Sequence, residues 1–207
     1  MDKIKFEQLC LASQSPRRRE LLEQIGVKYF VLPADIDESI FSNEPPKTYV
    51  KRMALQKANA VLDVNPDIEC PVLASDTAVV IGDEVLGKPA DKQDGMAMLS
   101  QLSGNTHQVL TSIAMTDGKY SDCVVVESEV TFRVLSSREI EKYWMTGEGL
   151  DKAGCYAVQG LAASFITQIT GSFSGVMGLP LRETSDLLSR WGVRFWLNAP
   201  TNSEVLS

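Results

Sequence analysis

Apolar and polar positions follow two different periods along this chain. Leu9–Ser13 (LCLAS) reads as a short buried strand and Tyr29–Leu32 as a second. Between them, Ser15-Pro16 opens a helix, with Ser at the N-cap and Pro at the first helical position. Leu21, Leu22 and Ile25 form its apolar face and Gly26 ends it. A longer helix is expected from Pro46 to about Leu62. Val50, Met53, Ala54, the stem of Lys57, Ala58 and Val61 recur there at helical spacing. Val72–Ile81 is the strongest strand, Gly82-Asp83 a turn, and Val85-Leu86 its hairpin partner. Asp91–Leu102 reads as a helix ending near Gly104. His107–Thr116 and Tyr120–Val134 read as two long strands around a turn at Asp117-Gly118. Ser136 caps a helix running to about Met145, with Glu139 at the capping-box position. Cys155–Val158 and Phe165–Thr170 read as strands, Leu179–Trp191 as a last helix, and the final dozen residues as a short strand and tail. Strands and helices in irregular alternation, with hairpins, predict an α/β fold with a mixed sheet.

Some residues break these local rules. Asp76 stands in the middle of PVLASDTAVVI, on one face with Val72, Ala74, Ala78 and Val80. Asp is a poor strand former, and an unpaired buried carboxylate is costly, so a cation, a metal or several donors must compensate it. Ser13-Gln-Ser15-Pro16-Arg17-Arg18-Arg19 places three arginines at a helix N-terminus, the end that favours anions. Arg18 shares the face of Leu21, Leu22 and Ile25, which aims it into a crevice. Arg19 can pair with Glu23 at the surface. Lys57 on its apolar stripe reads equally as a snorkelling lysine or as a site residue. Lys88 in Gly87-Lys88-Pro89, the acidic group Asp35, Asp37 and Glu38, and Gln159-Gly160 are ambiguous alone. A Walker loop and a nucleophile elbow are absent, and Gly171-Ser-Phe-Ser-Gly175 has its serine displaced.

Composition narrows the function classes. The chain has 207 residues, with 20 Lys+Arg against 27 Asp+Glu and a net charge of −7. That balance argues against a nucleic-acid partner, which needs a broad basic surface, and leaves room for a small anion in a local basic pocket. No stretch approaches a membrane span, and MDKIKFEQLCLAS does not read as a secretory signal. Four well-separated cysteines (Cys10, Cys70, Cys123, Cys155) read as buried free thiols in a reducing cytoplasm. One histidine, His107, excludes a multi-histidine metal site within one chain.

Taken together, SQSPRRRELL, DIDES, LQKA, ASDTAVV, LGKP, LSGNTH, GLDKAGCYAVQG and VMGLPL resemble the Maf family of nucleotide pyrophosphatases. The eight motifs are collinear from about Leu9 to Leu188. The resemblance implies one domain over residues 1–207. It implies a mixed, elongated central sheet flanked by helices, with two lobes around a cleft, similar to the inosine-triphosphate pyrophosphatases. It implies hydrolysis of a nucleoside triphosphate to monophosphate and pyrophosphate with a divalent cation, Mg²⁺ or Mn²⁺, and it suggests a homodimer. Ser15-Pro16-Arg17-Arg18, Asp76-Thr77 and Val158-Gln159-Gly160 are similar to the branch acting on dTTP and UTP, modified pyrimidine nucleotides included. Val158 stands where that branch has Ile. By the same resemblance, Asp76 is the proton acceptor, and Arg17, Thr77 and Gln159 set substrate choice. Ser13, Arg18, Lys57 and Lys88 contact the triphosphate, and Glu38 with Asp76 holds the metal. Two alternatives stay open: a 7-methyl-GTP pyrophosphatase of the sister branch, and a nucleotide-binding regulator of cell division.

Overall fold

The computed structural model describes residues 4–198. Seven strands form one sheet: β1 (Leu9–Leu11), β2 (Tyr29–Val31), β3 (Val72–Ile81), β4 (Glu84–Leu86), β5 (Thr106–Thr116), β6 (Ser121–Phe132) and β7 (Ile166–Thr170). The helices are α1 (Pro16–Gln24), α2 (Pro46–Val64), α3 (Lys92–Leu102), α4 (Ser137–Trp144), α5 (Phe173–Met177) and α6 (Leu181–Trp191). The sheet order is β2-β1-β3-β5-β6-β7, with β4 paired to β3 off that path. β1 runs parallel to β2 and to β3, and every other pairing is antiparallel. The sheet is therefore mixed, as the sequence pattern predicts.

β3 is buried along almost its whole length because both of its faces are covered. Val72 and Ala74 pack with Ala58 and Val61 of α2, and Ala78 and Val80 with Val50. The apolar stripe of α2 supplies that contact. On the opposite face the strand serves two separate cores. Leu73 packs with Leu9, Leu11, Leu22, Leu187 and Leu188, whereas Val79 packs with Leu86, Leu99, Leu102, Phe132 and Phe165. Ser75 and Thr77 lie between them. Each fully buried leucine contributes about 1.5–3 kcal/mol relative to exposure. Each core is a lobe, and the polar interval on β3 is where they part.

The same strand has a break in its pairing. β1 reaches β3 only at Val72 and Leu73, and β4 only at Val79–Ile81. Along that side, Ala74–Ala78 have no strand neighbour, and a cleft opens there.

Several local expectations are corrected. Cys155–Val158 is not a strand. Ala153–Cys155 is a 3-10 turn in which Gly154 (φ 65°) and Cys155 (φ 61°) are both left-handed, so the chain cannot extend. Another 3-10 turn, Leu161–Phe165, delays β7 to Ile166. The last helix starts at Leu181 because α5 and the left-handed Gly178 precede it. Ser172 caps α5 by accepting from Gly175 N at 3.0 Å, inside the GSFSG segment. Ser15 holds the N-cap position of α1, but its hydroxyl makes no cap bond. The expected capping box at Ser136 and Glu139 is present. Of the final dozen residues, Trp196–Asn198 form a 3-10 turn, and the expected tail lies outside the described residues.

Candidate active site

The first wall is the passage from β1 into α1. Ser13 is 7% exposed, and its hydroxyl accepts from Ser15 N at 3.2 Å and from Arg18 Nη1 at 3.1 Å. Arg18 Nε donates to Gly178 O at 2.9 Å, and Ser75 Oγ donates to the same carbonyl at 2.8 Å. Arg17 Nε donates to Met177 O at 3.3 Å. Both guanidiniums thus turn toward the sheet and the α5 end, as the helical face of Arg18 predicts. Burial lowers the pKa of Arg18, against the attraction of Asp76. With no side-chain cap on α1, its free N–H groups add to a positive wall.

The floor is β3. Asp76, 6% exposed, faces α2, where Lys57 Nζ donates to its Oδ1 at 2.7 Å. The same nitrogen lies 2.7 Å from Glu38 Oε1. Lys57 therefore carries its ammonium to two cleft carboxylates and not out to water. The two carboxylates that share it are driven apart electrostatically. Burial raises the Asp76 pKa, and Lys57 and Arg18 only partly oppose it. Burial acts on Glu38 in the same direction, but Lys57, Lys88 and Arg18 carry it below its usual value. One carboxylate is thereby made the better proton acceptor while the other stays ionised. Thr77, the next residue on the strand, points to the other face, where Thr111 Oγ1 is 3.1 Å away. One cleft can reach both faces because β3 lacks a strand neighbour there.

Glu38 is held by a loop that α2 fastens. Tyr49 OH donates to Glu38 O at 3.0 Å. Arg52 donates to Glu44 through Nε at 2.7 Å and Nη2 at 2.5 Å, and to Ser39 O at 2.9 Å. Its guanidinium stacks 3.9 Å from the Phe41 ring centroid. Asp37 Oδ1 is used within the loop, accepting from Ser39 N at 2.9 Å.

The far wall belongs to the other lobe. Gly87-Lys88 follows β4, and Gly154 N donates to Gly87 O at 3.0 Å. Gln159 sits in a turn clamped by Glu148, which accepts from Leu161 N at 2.7 Å, Ala162 N at 3.2 Å and Tyr143 OH at 2.8 Å. A Cβ on Gly160 would stand 2.2 Å from Glu148 Oε2, so a side chain there would displace the carboxylate that clamps the turn. Ser13, Arg17, Arg18, Glu38, Lys57, Asp76, Thr77, Lys88 and Gln159 all line one cleft of about 790 Å³.

A model of Maf-like proteins matches residues 8–191. The chain belongs to the Maf family. A relative from Pseudoalteromonas atlantica, named dTTP/UTP pyrophosphatase, is 52% identical over 184 residues, covering 88% of this chain and 96% of its own. Relatives of the same name from Hahella chejuensis and Colwellia psychrerythraea are 47% and 50% identical, and each covers about nine-tenths of both chains. Among solved structures, the Ham1 protein of Staphylococcus aureus is similar at 13% identity and a TM-score of 0.45, covering 88% of this chain and 96% of that one.

Within this Maf domain, the cleft also holds residues that the sequence reading passed over. Lys152 lines it, paired with Asp151. Both stand inside GLDKAGCYAVQG, so the signal was a lysine next to an acid in a recognised motif. Arg52 and Glu148 do not line the cleft and hold the loop and the turn that do. Nothing in their spacing marks them. The four cysteines are all free, though Cys70 and Cys123 are only half-buried. No helix among the described residues is long and apolar enough to cross a membrane.

Proposed function

We propose that this Maf protein hydrolyses dTTP and UTP, and modified pyrimidine nucleotides like them, to the monophosphate and pyrophosphate. The observation that carries the reading is the buried Asp76 carboxylate at the gap in β3, joined through Lys57 to the exposed Glu38 and lining one cleft with Arg17, Arg18, Lys88 and Lys152. The names of its relatives support the substrate class. Arg18, Lys88 and the uncapped start of α1 bind the phosphate chain, and Lys57 turns to it from between the carboxylates. Asp76 takes a proton from a water in line with the α-phosphorus. The water oxygen bonds to that phosphorus, the bridge to the β-phosphate breaks, and pyrophosphate leaves. The raised pKa of Asp76 suits this role, because a stronger base draws the proton better near neutral pH. Gln159 offers an amide donor and acceptor that complement the O4 and N3–H edge shared by uracil and thymine. Arg17 and Thr77 bound the same end.

Among the described residues, no group of three or more His, Cys, Asp or Glu is placed to hold an ion. Two carboxylates meeting at one cation position still fit Mg²⁺ or Mn²⁺, which take one or two carboxylates and complete their shell with phosphate oxygens and water. Glu38 and Asp76 would hold it, and when bound it supplies positive charge to the phosphates. The reading also carries a homodimer in the cytoplasm, which light scattering and cell fractionation would test.

The test is pyrophosphate release on a panel of nucleoside triphosphates, 7-methyl-GTP included, with Mg²⁺ or Mn²⁺. UTP and dTTP should lead, and equal rates on 7-methyl-GTP would defeat the substrate assignment. Asp76→Asn should fold and lose roughly 100-fold or more of the rate. Retention of a tenth of it removes Asp76 from the chemistry.

A further inference from the structure

We propose that Lys152 is a further phosphate-binding residue, held by Asp151 until the phosphate chain enters. This rests on reading the cleft as a nucleotide site. The side chain of Lys152 is only 15% exposed, whereas that of its partner Asp151 is 72% exposed. A lysine normally carries its ammonium out to water while its stem stays covered. Here both residues line a cleft already ringed by cations, the lysine as its covered member and the carboxylate as its exposed one. The carboxylate of that pair is screened by water, so exchanging it for a phosphate oxygen inside the cleft costs little.

The turn that carries Lys152 is fixed. Its carbonyl accepts from Cys155 N at 3.1 Å, and Gly154 N bonds to the residue before Lys88. Gly154 lies so close to β3 that a Cβ there would stand 2.9 Å from Val79. Two successive left-handed residues, one of them not glycine, persist only where the surroundings impose them. Lys152 and Lys88 thus share one rigid wall. The hydrogen bond from Lys152 does most to hold the Asp151 carboxyl below its usual range, and the charge of Arg17, on the opposite wall, adds a smaller pull in the same direction.

The experiment is calorimetric titration of the full chain with inorganic pyrophosphate and, separately, with UMP, Mg²⁺ present. Lys152→Met should weaken pyrophosphate roughly tenfold, as loss of one hydrogen bond to a charged group does, and leave UMP unchanged. Lys152→Arg should restore most of the pyrophosphate affinity. Asp151→Asn should strengthen it, because the lysine no longer has a competing anion. The assignment is overturned if Lys152→Met binds pyrophosphate like the wild type, or if Asp151→Asn weakens it. Should Lys152→Met fail to fold, the direction of the Asp151→Asn change decides alone. A wild-type protein that binds neither pyrophosphate nor UMP overturns the nucleotide reading itself.

Discussion

His107 gives the stability of this protein a pH dependence that one residue accounts for. It is the one histidine of the chain. It sits on β5, 2% exposed, with its ring edge-on to Phe132 at 5.2 Å and to Tyr156 at 5.4 Å. Nε2 is 2.8 Å from Tyr156 OH, and Nδ1 is buried without a hydrogen-bond partner among the described residues. No charge compensates an imidazolium there, and burial pushes its pKa from 6.5 down to about 4. At about 1.4 kcal/mol per pH unit, that fall is worth about 3 kcal/mol. The unfolded chain takes up the proton first, so the contribution is complete above pH 6.5. It is lost as pH falls toward 4, with about 2 kcal/mol gone by pH 5. Asp76, its pKa raised, has the opposite sign: the stability linked to it is lost as pH rises. Urea unfolding of wild type and His107→Phe at pH 8, 6 and 5 separates the two, because Asp76 is common to both proteins. The variant should be weaker at pH 8 by about 1–3 kcal/mol, since Tyr156 OH loses its partner, and the deficit should shrink by about 2 kcal/mol at pH 5. It should also escape the acid loss of the wild type. If both proteins lose the same stability between pH 8 and pH 5, His107 is not the buried neutral base described here.

Two other perturbations probe the cleft. Lys57→Met removes the charge and hydrogen bond that hold the Asp76 pKa down, so the acidic limb of the kcat/KM profile should move to higher pH. The same change leaves the buried Asp76 carboxylate without its hydrogen-bonded cation and should cost about 3–5 kcal/mol in urea unfolding; a limb that stays put would separate Lys57 from Asp76. Gly160→Ala puts a Cβ into the Glu148 carboxylate, which must then give up its hydrogen bonds to Leu161 N and Ala162 N and so loosen the Gln159 turn. It should raise the KM for UTP and cost about 1–3 kcal/mol of stability, and an unchanged KM means that Gln159 does not read the base.

Much of this architecture was legible in the chain because it rests on local chemistry. β3, the hairpin at Gly82-Asp83, and α2 with its stripe follow from periodicity and turn residues. Asp76 stood out because a mid-strand acid needs a partner, and its compensating cations are the Lys57 and Arg18 that the family motifs supply. What stayed hidden is long-range. The paired left-handed backbone at Gly154-Cys155 is imposed by contact with Val79, 75 and 76 residues earlier in the chain, so Cys155–Val158 looked like a strand. Arg52 and Glu148 are ordinary helix and loop residues until folding brings Glu44, Phe41 and Leu161 to them. α5 hid in a glycine- and serine-rich segment whose capping serine was legible only once the helix was known.

The interval of β3 between its two short neighbours works as a ruler. Five residues, Ala74–Ala78, at about 3.3 Å each give an aperture roughly 16 Å long. Its length is set by where β1 and β4 stop, and not by any side chain inside it. An insertion that carried either neighbour two residues further would zip part of the opening shut. The length of the opening is thus set by backbone hydrogen bonding, independently of the side chains that line it.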